Sequence, residues 1–216
     1  WRGALHGVPL AVKDLFATRD AVTTAGMSIY KDHVPQYDAT VVKRLYAAGA
    51  ILPAELWDPT TGSWKQMASL SQPRIYHSMA ILLPDGRVLV GGGSVPSNSR
   101  VKNYSNVQIY SPPYLFRGER PTIAAMDASV AHPGDQIALT VPGAEDIAKV
   151  SLIRNSSVTH SFNMNQRLAF LEFAASGSTV TVTLPASSSR VPPGDYMLFV
   201  VDVAGVPSIA RMLRVL

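Results

Sequence analysis

The residues with the clearest chemical potential are the histidines, because the 216-residue sequence contains five of them and no cysteine. Without cysteine, the chain offers no disulfide, thiol nucleophile, zinc–thiolate site or iron–sulfur site of its own. Imidazole nitrogens remain as side-chain groups that could bind a metal ion. Three histidines fall in no spacing typical of a metal site and are expected to be surface or hydrogen-bonding residues, namely His6, His33 and His132.

The other two histidines stand in more suggestive surroundings. His77 directly follows Tyr76, and His160 lies between Thr159 and Ser161 in a polar stretch. Neighbouring residues on a regular strand face opposite sides, so Tyr76 and His77 can act on one group only where a strand starts or is irregular. Taken alone, the pair would be a packed tyrosine and a hydrogen-bonded histidine, and His160 would be an ordinary loop residue.

Composition narrows the class of protein that positions these residues. Apolar residues make up 47% of the chain and charged residues only 16%, which favours a packed β-rich fold over disorder. The net charge is 19 − 15 = +4, with the basic residues scattered, so nucleic-acid binding is not expected. No apolar run approaches the roughly 20 residues of a membrane span, and no signal peptide is visible. The chain begins at Trp1, so further sequence is expected upstream.

The fold class expected from local patterns is mainly β, preceded by a short truncated α/β segment over residues 1–52. There, Gly7–Asp14 reads as a buried strand, and Asp38 caps a predicted helix that ends at Gly49. Residues 53–120 predict one to two blades of a kelch-type β-propeller, with hairpins at Asp58–Ser63 and at Pro84–Arg87. Trp57 and Trp64 are expected in the blade core. Residues 121–216 show β-type runs separated by turns, which predicts an immunoglobulin-like β-sandwich.

The N-terminal segment resembles the amidase signature family. The resemblance rests on three motifs in order, over Leu5–Asp14, Thr24–Gly26 and Asp38–Ala50. It implies that Lys13 corresponds to the lysine base of a Ser–cisSer–Lys triad, which requires a desolvated amine of lowered pKa. The Gly/Ser-rich stretch that carries both serines does not follow in this sequence. Lys13 is therefore interpreted as a vestigial amidase lysine or a strand-end lysine without chemistry.

Residues 54–216 resemble the C-terminal part of galactose oxidase and glyoxal oxidase, the copper radical oxidases. The motifs that carry the resemblance are Arg74–Ser78, Leu82–Val88, Gly91–Gly93, Ile109–Leu115, Arg120–Pro121, Val158–Arg167 and Pro192–Tyr196. The resemblance implies a copper site with Tyr76 as axial ligand and catalytic base, and with His77 and His160 as imidazole ligands. Cu(II) favours such nitrogen and oxygen donors.

The sequence departs from this family in one respect that decides its chemistry. The family also uses a tyrosine cross-linked to a cysteine, and this chain has no cysteine, so only a partial copper site is expected. The resemblance implies a parent substrate that is an alcohol, an aldehyde or a carbohydrate, and a secreted or extracellular protein. Nucleic acid and membrane are not expected as partners, whereas self-association through unpaired blade edges is.

Three functions therefore stay open from the sequence. One is a copper radical oxidase fragment that is inactive alone, and another is an amidase-type hydrolase acting through the N-terminal segment. The third is a non-catalytic β-sandwich binding module. The abrupt change near Leu52-Pro53 also predicts a fusion of two unrelated fragments.

Overall fold

The computed structural model describes residues 32–37, 53–58, 61–72, 74, 77–93, 105–159 and 162–216 of the chain. None of the helices in those ranges is long and apolar enough to cross a membrane. Two short 3-10 helices span Pro113–Phe116 and Ala144–Asp146. The strands are β1 (Pro53–Asp58), β2 (Ser63–Ser69), β3 (Ser78–Leu82), β4 (Val88–Gly92), β5 (Val107–Tyr110), β6 (Ala125–Met126), β7 (Val130–Ala131), β8 (Gln136–Thr140), β9 (Ile147–Arg154), β10 (Val158–Thr159), β11 (Phe162–Asn163), β12 (Leu168–Ser176), β13 (Thr179–Thr183), β14 (Gly194–Asp202) and β15 (Arg211–Val215).

The expected hairpin after Pro53 is confirmed as the antiparallel pair β1–β2. The Gly62 N–H donates to the Asp58 carbonyl at 2.8 Å, and Trp57 lies opposite Trp64 in the register. The prediction that Trp64 belongs to a core is wrong, because its side chain is 66% exposed. Among the described residues the two strands form a sheet of their own, so no further described strand of that sheet covers Trp64. The side chain of Trp57 lies outside the described residues.

The second expected hairpin is also confirmed, and it belongs to a three-stranded sheet in the order β3-β4-β5. Its turn closes through a bond from the Gly86 N–H to the Leu83 carbonyl at 2.9 Å, with Gly86 at φ +79°. The Asp85 carboxylate accepts from both the backbone N–H and the Nε of Arg87, at 3.0 and 2.7 Å. In the described part of the chain the strands before Ser111 thus form a pair and a triplet, which establishes β structure but not a four-stranded blade.

The C-terminal half folds as one curled eight-stranded sheet in the order β6-β8-β13-β12-β9-β14-β15-β7. The curl occurs at β12, which changes partner along its length. Its first half, Leu168–Leu171, pairs with β9, and its second half, Glu172–Ser176, pairs with β13. Because one strand serves both halves, the sheet folds over a single core in a manner consistent with the expected immunoglobulin-like domain.

Alternation along the strands builds that core. Ile137 and Leu139 of β8 are buried in the core, as are Val180 and Val182 of β13, while the residues that alternate with them are half-buried or exposed. From the other half of the sheet, Leu152, Tyr196, Leu198 and Leu213 join the same cluster. The five central residues of β14, Tyr196–Val200, are buried on both faces, which marks β14 as the most enclosed strand of the domain.

Contacts divide the chain into two compact units, one of Trp1–Met79 with Gly91–Gln108 and the other of Ala80–Val90 with Ile109–Leu216. The second unit therefore contains the tip of the β3–β4 hairpin together with the curled sheet. Within this unit Arg120 connects the hairpin tip with the curled-sheet domain. Its guanidinium donates to the carbonyls of Asp85, Pro207 and Ser208 at 2.8, 2.9 and 2.6 Å. The sequence-based boundaries at 52/53 and 120/121 stay predictions.

Candidate metal centre

His77 lies at the point where β3 begins, as the sequence analysis required for a shared action with Tyr76. His77 lies in a turn immediately before Ser78, and the residue is exposed. Its φ is +62°, and it is the one non-glycine residue with positive φ among those that the structure describes. Histidine tolerates this left-handed region better than most residues, but the conformation still stores strain that neighbouring structure must hold.

Gly92 makes room for this turn from the neighbouring strand. A Cβ atom on Gly92 would lie 2.6 Å from the His77 carbonyl oxygen, a backbone atom that cannot swing away. Gly92 itself has φ +70°, which also favours glycine. The second glycine of the Gly91–Gly93 run is thus needed for the close approach of the main chain at His77.

Arg74 also contacts β4, the strand that contains Gly92, through a hydrogen bond. The residue is buried, with 4% exposure, and its Nη1 donates to the Gly92 carbonyl at 2.9 Å while Nη2 donates to Asn106 Oδ1 at 2.8 Å. Its buried Nε has no hydrogen-bond partner among the described residues. Arg74 therefore fixes Gly92, and Gly92 in turn bounds the His77 turn. The motif Arg74–Ser78 was recognised in the sequence, but no local signal shows that its arginine reaches a main-chain carbonyl.

The other predicted site residues cannot be placed beside His77. Tyr76, His160 and Lys13 lie outside the described residues, so their roles stay predictions. For His160 the two flanking strands are described, with Thr159 opposite Phe162 in the β10–β11 register. Within the described ranges no three histidine, aspartate or glutamate side chains form a group that could hold a metal ion. His77 is thus the one candidate ligand with a described position, and its donor type fits Cu(II).

A shallow apolar pocket in the second unit offers little acid–base chemistry. It is lined by Leu82, Gly86, Tyr114, Ile153, Phe199, Val201, Gly205 and Pro207. Burial raises the pKa of Tyr114, and its hydroxyl already donates to the Gly86 carbonyl. Tyr114 therefore anchors the hairpin tip as a neutral phenol.

Comparison with known families accounts for both parts of the sequence. Residues 120–215 match the family model described as galactose oxidase-like, early set domain. The C-terminal domain belongs to that family. Residues 1–57 match the amidase family model, which confirms the resemblance of the N-terminal segment.

Individual relatives agree with the C-terminal assignment. Galactose oxidase of Gibberella zeae is 35% identical over 167 residues, which cover 74% of this chain and 24% of that protein. Aldehyde oxidase GLOX1 of Arabidopsis thaliana is 31% identical over 177 residues, covering 73% of this chain and 28% of the relative. The chain thus spans about a quarter of the length of these curated relatives.

A solved structure extends the similarity to three dimensions. A fungal alcohol oxidase of the AA5 family, solved in complex with copper, superposes with a TM-score of 0.68 at 36% identity, covering 74% of this chain and 35% of the oxidase. Copper is therefore present in a related structure. The expectation of no tyrosine–cysteine cofactor within these 216 residues also holds, because the chain has no cysteine.

Proposed function

We propose that this chain is a galactose/glyoxal-oxidase-like module in which Tyr76, His77 and His160 form a partial copper site without the radical cofactor. The observation that carries the proposal is the backbone of His77. A non-glycine residue held in the left-handed region, with Arg74 and Gly92 bounding its turn, is the kind of strain that accumulates at functional sites.

The reaction of the parent oxidases requires a group that this chain does not contain. In that reaction a primary alcohol or an aldehyde is oxidised and dioxygen is reduced to hydrogen peroxide. Copper and the tyrosine–cysteine pair together supply the capacity for two electrons, and the pair cannot form from this chain alone. We therefore expect His77 and His160 to bind copper, Tyr76 to provide an oxygen donor, and the isolated chain to leave alcohols, aldehydes and carbohydrates unoxidised.

Three further proposals follow from the family. The β1–β2 pair and the β3–β4–β5 triplet derive from kelch blades, and the protein is extracellular like the secreted oxidases. Because a few blades leave strand edges unpaired, the chain self-associates. The exposed Trp64 and Val107 support this last proposal, and a concentration-independent monomer in size-exclusion chromatography would contradict it.

The amidase reading is the second candidate, favoured by the match of residues 1–57. In it Lys13 would act as the base of a hydrolase. The serines that should relay the proton have no counterpart stretch in the sequence, so we propose that Lys13 is vestigial and that the chain fuses fragments of two families. Measurable amide hydrolysis that is lost in Lys13→Ala would reverse this ranking.

The copper proposal is tested by titrating the full chain with Cu(II) and recording electron paramagnetic resonance spectra. His77→Asn is the informative variant, because asparagine also tolerates positive φ and the substitution removes only the imidazole. His160→Asn is its companion, and His132→Asn is the matched control, since His132 is an exposed histidine of the C-terminal domain.

The expected result is one Cu(II) per chain with nitrogen coupling that weakens in His77→Asn and in His160→Asn but not in His132→Asn. Spectra that are identical in all three variants and the parent chain would reject the partial copper site. The non-catalytic β-sandwich module would then become the better description of the protein.

A further inference from the structure

One asparagine side chain organises the described residues on either side of His160 between β9 and β12, namely 155–159 and 162–167, which are called the loop below. Asn163 Oδ1 accepts hydrogen bonds from the backbone N–H groups of Ser157 and Asn165, both at 3.0 Å. Its Nδ2 donates to Ser156 Oγ at 3.3 Å. The side chain of Asn163 therefore connects the residues before His160 with those after it.

A second set of bonds connects this loop to the central strand of the domain. Asn165 Nδ2 donates to the Asn155 carbonyl at 3.1 Å, and the Met164 N–H donates to the Ser157 carbonyl at 2.8 Å. The Asn155 N–H in turn donates to the carbonyl of Asp195, in β14, at 2.9 Å. The loop is thus fixed to the most enclosed strand through polar contacts.

Apolar burial does not provide this order. Phe162 and Met164 are 57% and 66% exposed, and no described residue from 155 to 167 belongs to the core cluster. The strands β10 and β11 contribute only two residues each. Since short ladders and exposed side chains supply little free energy, hydrogen bonds from side chain to main chain must hold the loop.

We propose that Asn163 is a positioning residue that holds the described residues before and after His160, 155–159 and 162–167, in one arrangement, and that copper affinity at the proposed site depends on this arrangement. The second clause rests on the proposed copper site, whereas the first concerns the metal-free loop. Asn163 fits the task because its amide oxygen can accept two bonds while its amide nitrogen donates a third. Aspartate can reproduce the two accepted bonds but not the donated one.

The test uses Asn163→Ala and Asn163→Asp in the full chain, with Gln166→Ala as a matched control in the same loop. Hydrogen exchange of individual amides, measured by NMR on the metal-free protein, reports loop order. Loss of one hydrogen bond of ordinary net strength should speed exchange at the Ser157 and Asn165 amides about tenfold in Asn163→Ala. Asn163→Asp should restore most of the protection, and amides within β14 should not change.

Copper titration of the same variants separates the two claims. If the parent chain binds Cu(II), Asn163→Ala should weaken its affinity about tenfold and alter the nitrogen coupling, while Asn163→Asp and Gln166→Ala should not. Unchanged copper spectra despite faster amide exchange would overturn the positioning role and leave the copper site standing. If the parent chain binds no copper, the proposed function fails, and amide exchange alone decides whether Asn163 fixes the loop. Unaltered exchange in Asn163→Ala would overturn that claim as well.

Discussion

Replacing Gly92 by alanine tests whether the main chain at His77 depends on close approach. Two costs add in this variant. A left-handed alanine costs about 1–2 kcal/mol. The new Cβ also lies 2.6 Å from the His77 carbonyl oxygen, and relieving such an overlap against backbone costs about 1–3 kcal/mol more.

Gly62→Ala provides a control that isolates the second cost. Gly62 has φ +67°, close to the +70° of Gly92, but a Cβ there would meet no heavy atom within 4 Å. The two variants therefore share the conformational cost, and their difference measures the overlap with His77. That difference should be about 1–3 kcal/mol, which corresponds to a roughly five- to 150-fold change in a local opening equilibrium.

Amide hydrogen exchange is the appropriate assay, because a chain with two compact units need not unfold in one step. For each variant, exchange rates are measured for the amides of the hairpin that carries the substitution. These are the β3–β4 amides for Gly92→Ala and the β1–β2 amides for Gly62→Ala. The Gly92 variant should show the larger acceleration relative to the parent chain. Equal accelerations in the two hairpins would refute the argument that Gly92 is required by the His77 carbonyl.

Two further predictions concern the hairpin tip. Arg120→Met removes three bonds to main-chain carbonyls and should lower the free energy of opening at the β3–β4 hairpin tip, measured by amide exchange, by about 3 kcal/mol or more. Arg117→Met, which removes one 3.4 Å bond, should have a small effect in the same assay. Similar losses in both variants would contradict the anchoring role. The pKa of Asp85 is lowered chiefly by the hydrogen bond from Arg87, so its stabilisation is present above the unfolded pKa of about 3.9 and is lost as pH falls through the folded value. Asp85→Asn should flatten that acid dependence, measured as amide protection in the β3–β4 hairpin against pH, and an unchanged acid profile would count against it.

Several features of this protein could be read from short stretches of sequence. The Asp-Gly turn at Asp85-Gly86 and the Thr-Gly turn at Thr61-Gly62 identified both hairpins, because each turn type requires its own residues locally. The β-type runs of residues 121–216 predicted strands in the same way, and β8 and β13 are among them. The expectation that His77 sits at a strand start likewise followed from the period of two along a strand.

Tertiary structure alone decided how these pieces are held. The change of partner along β12 depends on pairing with strands distant in sequence, and nothing within its own residues marks the point of change. Arg74, Arg120 and Asn163 act by donating to carbonyls or accepting from main-chain N–H groups. Every residue type except proline offers both of those main-chain groups, so the partner carries no sequence signature. The sequence by itself thus determined the candidate ligands and the strands beside them, whereas the hydrogen bonds at the His77 turn and around Asn163 follow only from the folded chain.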